Sequence, residues 1–150
     1  MSDRDEGSVE ISTDPARLDL SQIHDFLVGS YWASGRTRDA IERSIRHSLC
    51  FGAYSGTRQV GFARAVTDRA TFAYLADVFV VPAWRGRGIA KQLVRAALGH
   101  PELDAVNWLL RTRDAHGLYR QFGFEPIAGP ERYLERPCRR GTADAGIATP

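Results

Sequence analysis

At 150 residues, with 43% apolar and 25% charged side chains, the chain is the size of one ordinary domain and carries enough apolar surface for a real core. Twenty Lys and Arg against 18 Asp and Glu leave a formal net charge of +2, which gives no electrostatic footprint for nucleic acid or an anionic membrane. Cys50 and Cys138 match neither a disulfide framework nor a zinc spacing and fit a reducing compartment, so a cytoplasmic location is expected, and no metal. The opening M-S-D-R-D-E-G-S has no apolar signal-peptide core, and no apolar run approaches a membrane span.

In chain order, Met1–Ser8 reads as disordered and Val9–Ser12 as a short strand. Asp19 is a candidate N-cap with Gln22 as its capping-box partner, and residues 20–31 keep helical spacing through Leu20, Ile23, Leu27 and Tyr31. Thr37 caps a second predicted helix carrying Ile41, Ile45 and Leu49. Strands are predicted at Cys50–Tyr54 and Gln59–Thr67, the latter with Val60, Phe62 and Val66 on one face. Thr71–Val81 is almost continuously apolar, which suggests a central strand buried on both faces. Pro82 ends it, since proline cannot donate to the ladder. A helix with Ile89, Leu93, Ala96 and Ala97 on one side runs toward Pro101, and Val106–Leu110 reads as another buried strand. Asp114 is a candidate cap for a short helix carrying Leu118, Tyr119 and Phe122, and Gly123 suits the left-handed position after it. Phe124–Ile127 and Tyr133–Glu135 read as a final antiparallel pair. A single domain over residues 1–136 with a flexible tail over 137–150 is expected. The order β-α-α-β-β-β-α-β-α-β-β implies a mixed sheet with helices on its faces.

The most informative stretch is Asp77–Lys91, D-V-F-V-V-P-A-W-R-G-R-G-I-A-K. A strand leads through a glycine-punctuated basic turn into a helix, whose first N–H groups lack intrahelical partners and can bind an anion. Arg85, Arg87 and Lys91 add charge. The turn is not a P-loop, which needs G-x-x-x-x-G-K-[ST]. Nor is it a dinucleotide fingerprint, because Lys91 stands where the third small residue belongs. On its own, the turn reads equally as a phosphate seat or as a solvated basic helix start.

Asp77 is the only charged residue in the run Thr71–Val81. A carboxylate there is costly unless paired. Two readings follow: a general base of raised pKa, or a salt bridge to Arg64 on the neighbouring strand. Tyr31, Trp32 and Arg36 cluster in the loop between the first two helices, where packing against the core is the default. Cys50 reads as a core residue.

Val80-Val81-Pro82 followed by Arg85-Gly86-Arg87-Gly88-Ile89-Ala90 resembles the R/Q-x-x-G-x-G/A signature of the GNAT superfamily of acyl-CoA-dependent N-acetyltransferases. A second segment is also similar: Trp108-Leu109-Leu110, then Ala115-His116-Gly117-Leu118-Tyr119 and Gln121-Phe122-Gly123-Phe124. The resemblance covers roughly residues 50–126. It implies an α/β (α+β) fold with a mostly antiparallel mixed sheet of about six to seven strands, helices on both faces, and a fourth and fifth strand that splay apart.

It implies an acetyl group passed from acetyl-CoA to a primary amine, in a small molecule or a peptide, by direct attack in a ternary complex. The alternative is a non-catalytic acyl-CoA-binding or sensing module. Backbone at Arg87, Gly88, Ile89, Ala90 and Lys91, within the Arg85–Gly86 turn, would hold the pyrophosphate. Phe79, Val80 and Val81 would pair with the pantetheine arm as an added strand does. Tyr119 would protonate the leaving thiolate, and Tyr31, Trp32 and Arg36 would border the acceptor. An asparagine frequent in the family near the pantetheine is replaced here by Thr112-Arg113-Asp114. Members are often homodimers, so a dimer is a further expectation.

Overall fold

A computed structural model describes residues 7–138. Of the segments expected to be flexible, residues 1–6 and 139–150 lie outside the described residues. Strand β1 (Glu10–Ser12) is followed by helices α1 (Leu20–Val28) and α2 (Arg38–Arg46). Three long strands follow: β2 (Leu49–Ser55), β3 (Arg58–Thr67) and β4 (Phe72–Val80). Helix α3 (Ile89–Leu98), the short strand β5 (Asn107–Leu109) and the five-residue helix α4 (His116–Arg120) complete the order.

The caps explain the helix starts. Asp19 accepts from the Gln22 N–H and Thr37 from the Ala40 N–H. The reciprocal arm of the first cap is not made by Gln22. Buried Gln59, from β3, accepts the Asp19 N–H at 3.0 Å, and Gln22 instead donates to the Gln59 carbonyl. Helix α1 stops short of the expected residue 31. Gly29 ends it, and the Ser30 hydroxyl donates to Leu27 O while accepting the Ala33 N–H. Leu49 falls in β2 rather than α2. Asp114 does not cap α4; the Thr112 hydroxyl accepts the Ala115 N–H instead.

The sheet has the order β1-β2-β3-β4-β5, antiparallel except for the parallel β4–β5 pair. It therefore holds five strands, not six to seven. The expected pair at Phe124–Ile127 and Tyr133–Glu135 does not form; this region is irregular, with a 3-10 turn at Pro130–Arg132 after left-handed Gly129. Pro126 and Pro130 cannot donate to a ladder, which outweighs the strand-like alternation around them. Without them β5 has one hydrogen-bonded neighbour and is shorter and more exposed than the buried strand expected at Val106–Leu110.

Two cores flank the sheet. One packs α3 and Tyr119 on Phe51, Leu75, Val78 and Val80. The other packs α1, α2 and the loop between them on Cys50, Phe62 and Phe79. A register irregularity in β3 near Val60 divides the face expected for that strand: Val60 joins the α3 core, whereas Phe62 joins the α1–α2 core. On the α3 side Gly61 lets the helix approach; a Cβ there would lie 3.1 Å from Phe79 O and 3.2 Å from a Leu93 methyl. No helix among the described residues is long and apolar enough to cross a membrane.

Candidate active site

The site is built around the second half of β4. Strands β4 and β5 pair at only three positions, from Phe72 opposite Asn107 to Tyr74 opposite Leu109. From Leu75 onward the β5-facing edge of β4 has no strand partner, so the sheet opens there. On the other edge the β3–β4 register slips by one, from Arg64 opposite Ala76 to Phe62 opposite Phe79. Asp77 sits at this bulge with φ 56, a left-handed conformation that Asp tolerates better than most residues. Beyond the bulge the Val81 N–H donates to Val60 O at 2.9 Å. By alternation Phe79 also faces β3, and the Val80 peptide faces the gap. The Arg85 Nε donates to the Val80 carbonyl at 3.2 Å, which leaves the Val80 N–H as the donor on the open edge.

Below that edge lies the basic turn. Gly86 and Gly88 have φ 79 and 77, and a Cβ on either would project into open space. Gly88 caps α3 without any side-chain bond, so the N–H groups of the first turn are unspent. Arg87 lies over Trp84, its guanidinium carbon 4.4 Å from the ring centroid. These features fit a diphosphate: uncapped donors, a helix dipole and basic side chains around a clear approach. Tyr119 is buried, edge-on to Phe124, in the same core as Val78, Val80 and Ile89. The expected acid and the expected phosphate seat thus share the α3 side of β4.

The opposite side holds Asp77, Tyr31, Trp32 and Arg36. Asp77 is 1% exposed and collects three side chains. The Trp32 indole donates to Oδ1 at 2.9 Å, Arg36 Nη1 reaches Oδ1 and Oδ2 at 3.0 and 2.8 Å, and Arg64 Nε reaches Oδ2 at 2.9 Å. Arg64 also donates to Ser48 Oγ. The Arg64 pairing expected from the strand pattern is present, and the bulge brings two further donors from the α1–α2 loop. Cys50 lies near this cluster; burial pushes its thiol up to about 12, which leaves it protonated and unreactive.

Phe26 stacks on Phe79 with centroids 4.0 Å apart, and Trp32 packs edge-on to Tyr31. Phe26, Tyr31 and Trp32, with Asp25 and Arg85, line an open cavity of about 590 Å³. Arg113, from the loop after β5, lies 3.8 Å over the Tyr31 ring. Neither the Phe26 stack nor the Arg113 contact is signalled by local spacing, because each joins segments far apart in sequence. Among the described residues no three His, Cys, Asp or Glu side chains gather as a metal site.

A family model described as "Acetyltransferase (GNAT) domain" matches residues 46–126. The chain belongs to the GNAT acetyltransferases. A provisionally named acetyltransferase of Gibberella zeae is 34% identical over 143 residues, covering 79% of this chain and 80% of that protein. A solved Xanthomonas campestris structure, assigned provisionally to the same family, is 46% identical with a TM-score of 0.85, covering 87% of this chain and 94% of its own. A provisionally named acetyltransferase from Deinococcus radiodurans shares the fold at 22% identity and TM-score 0.68, over 99% of this chain and 100% of its own. The GNAT family transfers acetyl groups from acetyl-CoA, and the five-stranded sheet with its parallel β4–β5 pair is consistent with that membership.

Proposed function

We propose that this GNAT acetyltransferase passes an acetyl group from acetyl-CoA to a primary amine by direct attack, with both substrates bound on opposite sides of the β4 edge. The observation that carries this reading is the free Val80 N–H at the open end of β4, between an uncapped helix N-terminus and an aromatic cavity. Residues 86–91 would seat the pyrophosphate, with Arg87 and Lys91 adding charge, while Arg85, expected there from the sequence, turns to the aromatic cavity. The Val80 peptide would meet the arm and, as the carbonyl becomes tetrahedral, donate to its oxyanion.

The amine nitrogen forms the new N–C bond as the C–S bond breaks. The amine gives up a proton, and the departing thiolate takes one, for which Tyr119 is the donor. Asp77 is a poor base in this arrangement because both its oxygens are engaged by cationic or indole donors. The amine's proton therefore leaves through water.

The test is thiol release from acetyl-CoA across a panel of primary amines, with Tyr119→Phe beside the wild type. Turnover should fall about tenfold or more with coenzyme A affinity unchanged, as for loss of a general acid. Coenzyme A binding without turnover on any amine would assign the chain to a non-catalytic acyl-CoA-binding module.

A further inference from the structure

The cluster around Asp77 is unbalanced in charge. Two guanidinium groups, Arg36 and Arg64, share one carboxylate, and among the described residues no second acidic side chain touches either. The side chains of Arg64 and Asp77 are 5% and 1% exposed and that of Arg36 is 13% exposed, so Arg36 is the outermost of the three. Its Nη1 serves both Asp77 oxygens, while its Nη2 is buried with no hydrogen-bond partner. A buried charged donor left unpaired is costly, and native structures rarely keep one without a use. Trp32 hangs from the same Asp77 oxygen as Arg36 and forms a wall of the aromatic cavity, so the spare donor lies just behind that wall. Arg85 brings a second guanidinium to the cavity, with only its Nε spent on Val80 O.

Resting on the acetyl-transfer reading, we infer that the acceptor amine also carries a carboxylate, seated on Arg36 Nη2, with its apolar body against Phe26, Tyr31 and Trp32. A carboxylate supplies the acceptor lone pairs that Nη2 lacks and neutralises the surplus cation. Arg36 itself does not line the resting cavity, so seating the carboxylate requires its guanidinium to turn about the Asp77 pair toward the Trp32 wall. A purely cationic acceptor, such as a polyamine, would instead place its charge beside Arg85 and the Arg36–Arg64 surplus, while the one acidic residue of the lining, Asp25, is 80% exposed and screened by solvent. The class is therefore an amino carboxylate with an apolar or aryl side chain.

The test uses the full chain with coenzyme A bound and two probes that cannot be acetylated. By calorimetry phenylacetate should bind saturably, at least about tenfold more tightly than phenylacetamide, and Arg36→Gln should erase the difference. In turnover with acetyl-CoA, phenylalanine should exceed both phenylalaninamide and phenethylamine in kcat/KM. Equal binding of phenylacetate and phenylacetamide would overturn the inference, as an internal water on Nη2 would produce. So would a preference for phenethylamine, or an unaltered acid-to-amide ratio in Arg36→Gln. Selective phenylacetate binding with no turnover of any amine would sink the acetyl-transfer reading and leave the carboxylate seat standing. Should Arg36→Gln fail to fold, the two wild-type comparisons still decide.

Discussion

Asp77 holds the bulge, the α1–α2 loop and β3 together through one carboxylate. Its cost of burial is offset only by the donors gathered on it, so removing the charge strands two arginines in a dry site. Asp77→Asn keeps the shape and a residue type that tolerates φ 56, so backbone strain is not the variable. The expected loss is roughly 3–5 kcal/mol in denaturant unfolding, the range for breaking a buried pair from one side. Where the variant stays folded, the acid limb of its pH–rate profile should match the wild type; disappearance of that limb would make Asp77 the base after all. The Arg64 partnership was legible in the sequence because adjacent strands place a lone acid and a lone base within reach. The partnerships with Trp32 and Arg36 were not. They depend on the left-handed turn at Asp77 and on where α1 stops, and alternation of apolar residues reports neither.

At the scale of elements, local chemistry was legible wherever it was self-contained: the Thr37 cap, the Pro82 stop, the Gly88 turn and left-handed Gly123. It misled where the partner came from elsewhere, as with Gln59 completing the α1 cap, or where prolines overrode an apolar pattern after Phe124. The β3–β4 connection is a self-contained case that yields a pH prediction. Asp68 accepts N–H bonds from Ala70, Thr71 and Phe72 and the Thr71 hydroxyl. The Thr71 hydroxyl first, then the backbone donors, hold its carboxyl well below the usual carboxylate range. A depressed folded-state value means stability that is present above the ordinary pKa of about 4 and lost as pH falls through the lower folded one. Asp68→Ala should therefore be less stable than wild type at neutral pH, and the gap should narrow steadily below about pH 4. A gap independent of pH would mean that the hairpin does not depend on the ionised carboxylate.

For the whole molecule, the two flanks of the sheet are joined by few hydrogen bonds at the critical place. Strands β4 and β5 part after Tyr74 and Leu109, and the segments on either side of the gap then follow separate paths. One contact that bridges them is Arg113 over Tyr31, between the loop after β5 and the loop that walls the aromatic cavity. Arg113 keeps a side-chain exposure of 66%, with Asp114 3.9 Å away, so the bridge is solvated and weak. Exposed cation–π contacts contribute about 0.5–1 kcal/mol, which corresponds to about a two- to fivefold change in an opening equilibrium. Arg113→Ala should thus raise amide hydrogen-exchange rates about two- to fivefold in residues 29–36 and 111–118. Exchange in β2 and β3 should stay as in the wild type, because each is paired on both edges and neither borders the gap. Unchanged exchange in both loops would show that the gap is held by packing along β4 alone. Uniformly faster exchange would show that Arg113 supports the fold as a whole and not the local closure of the two loops.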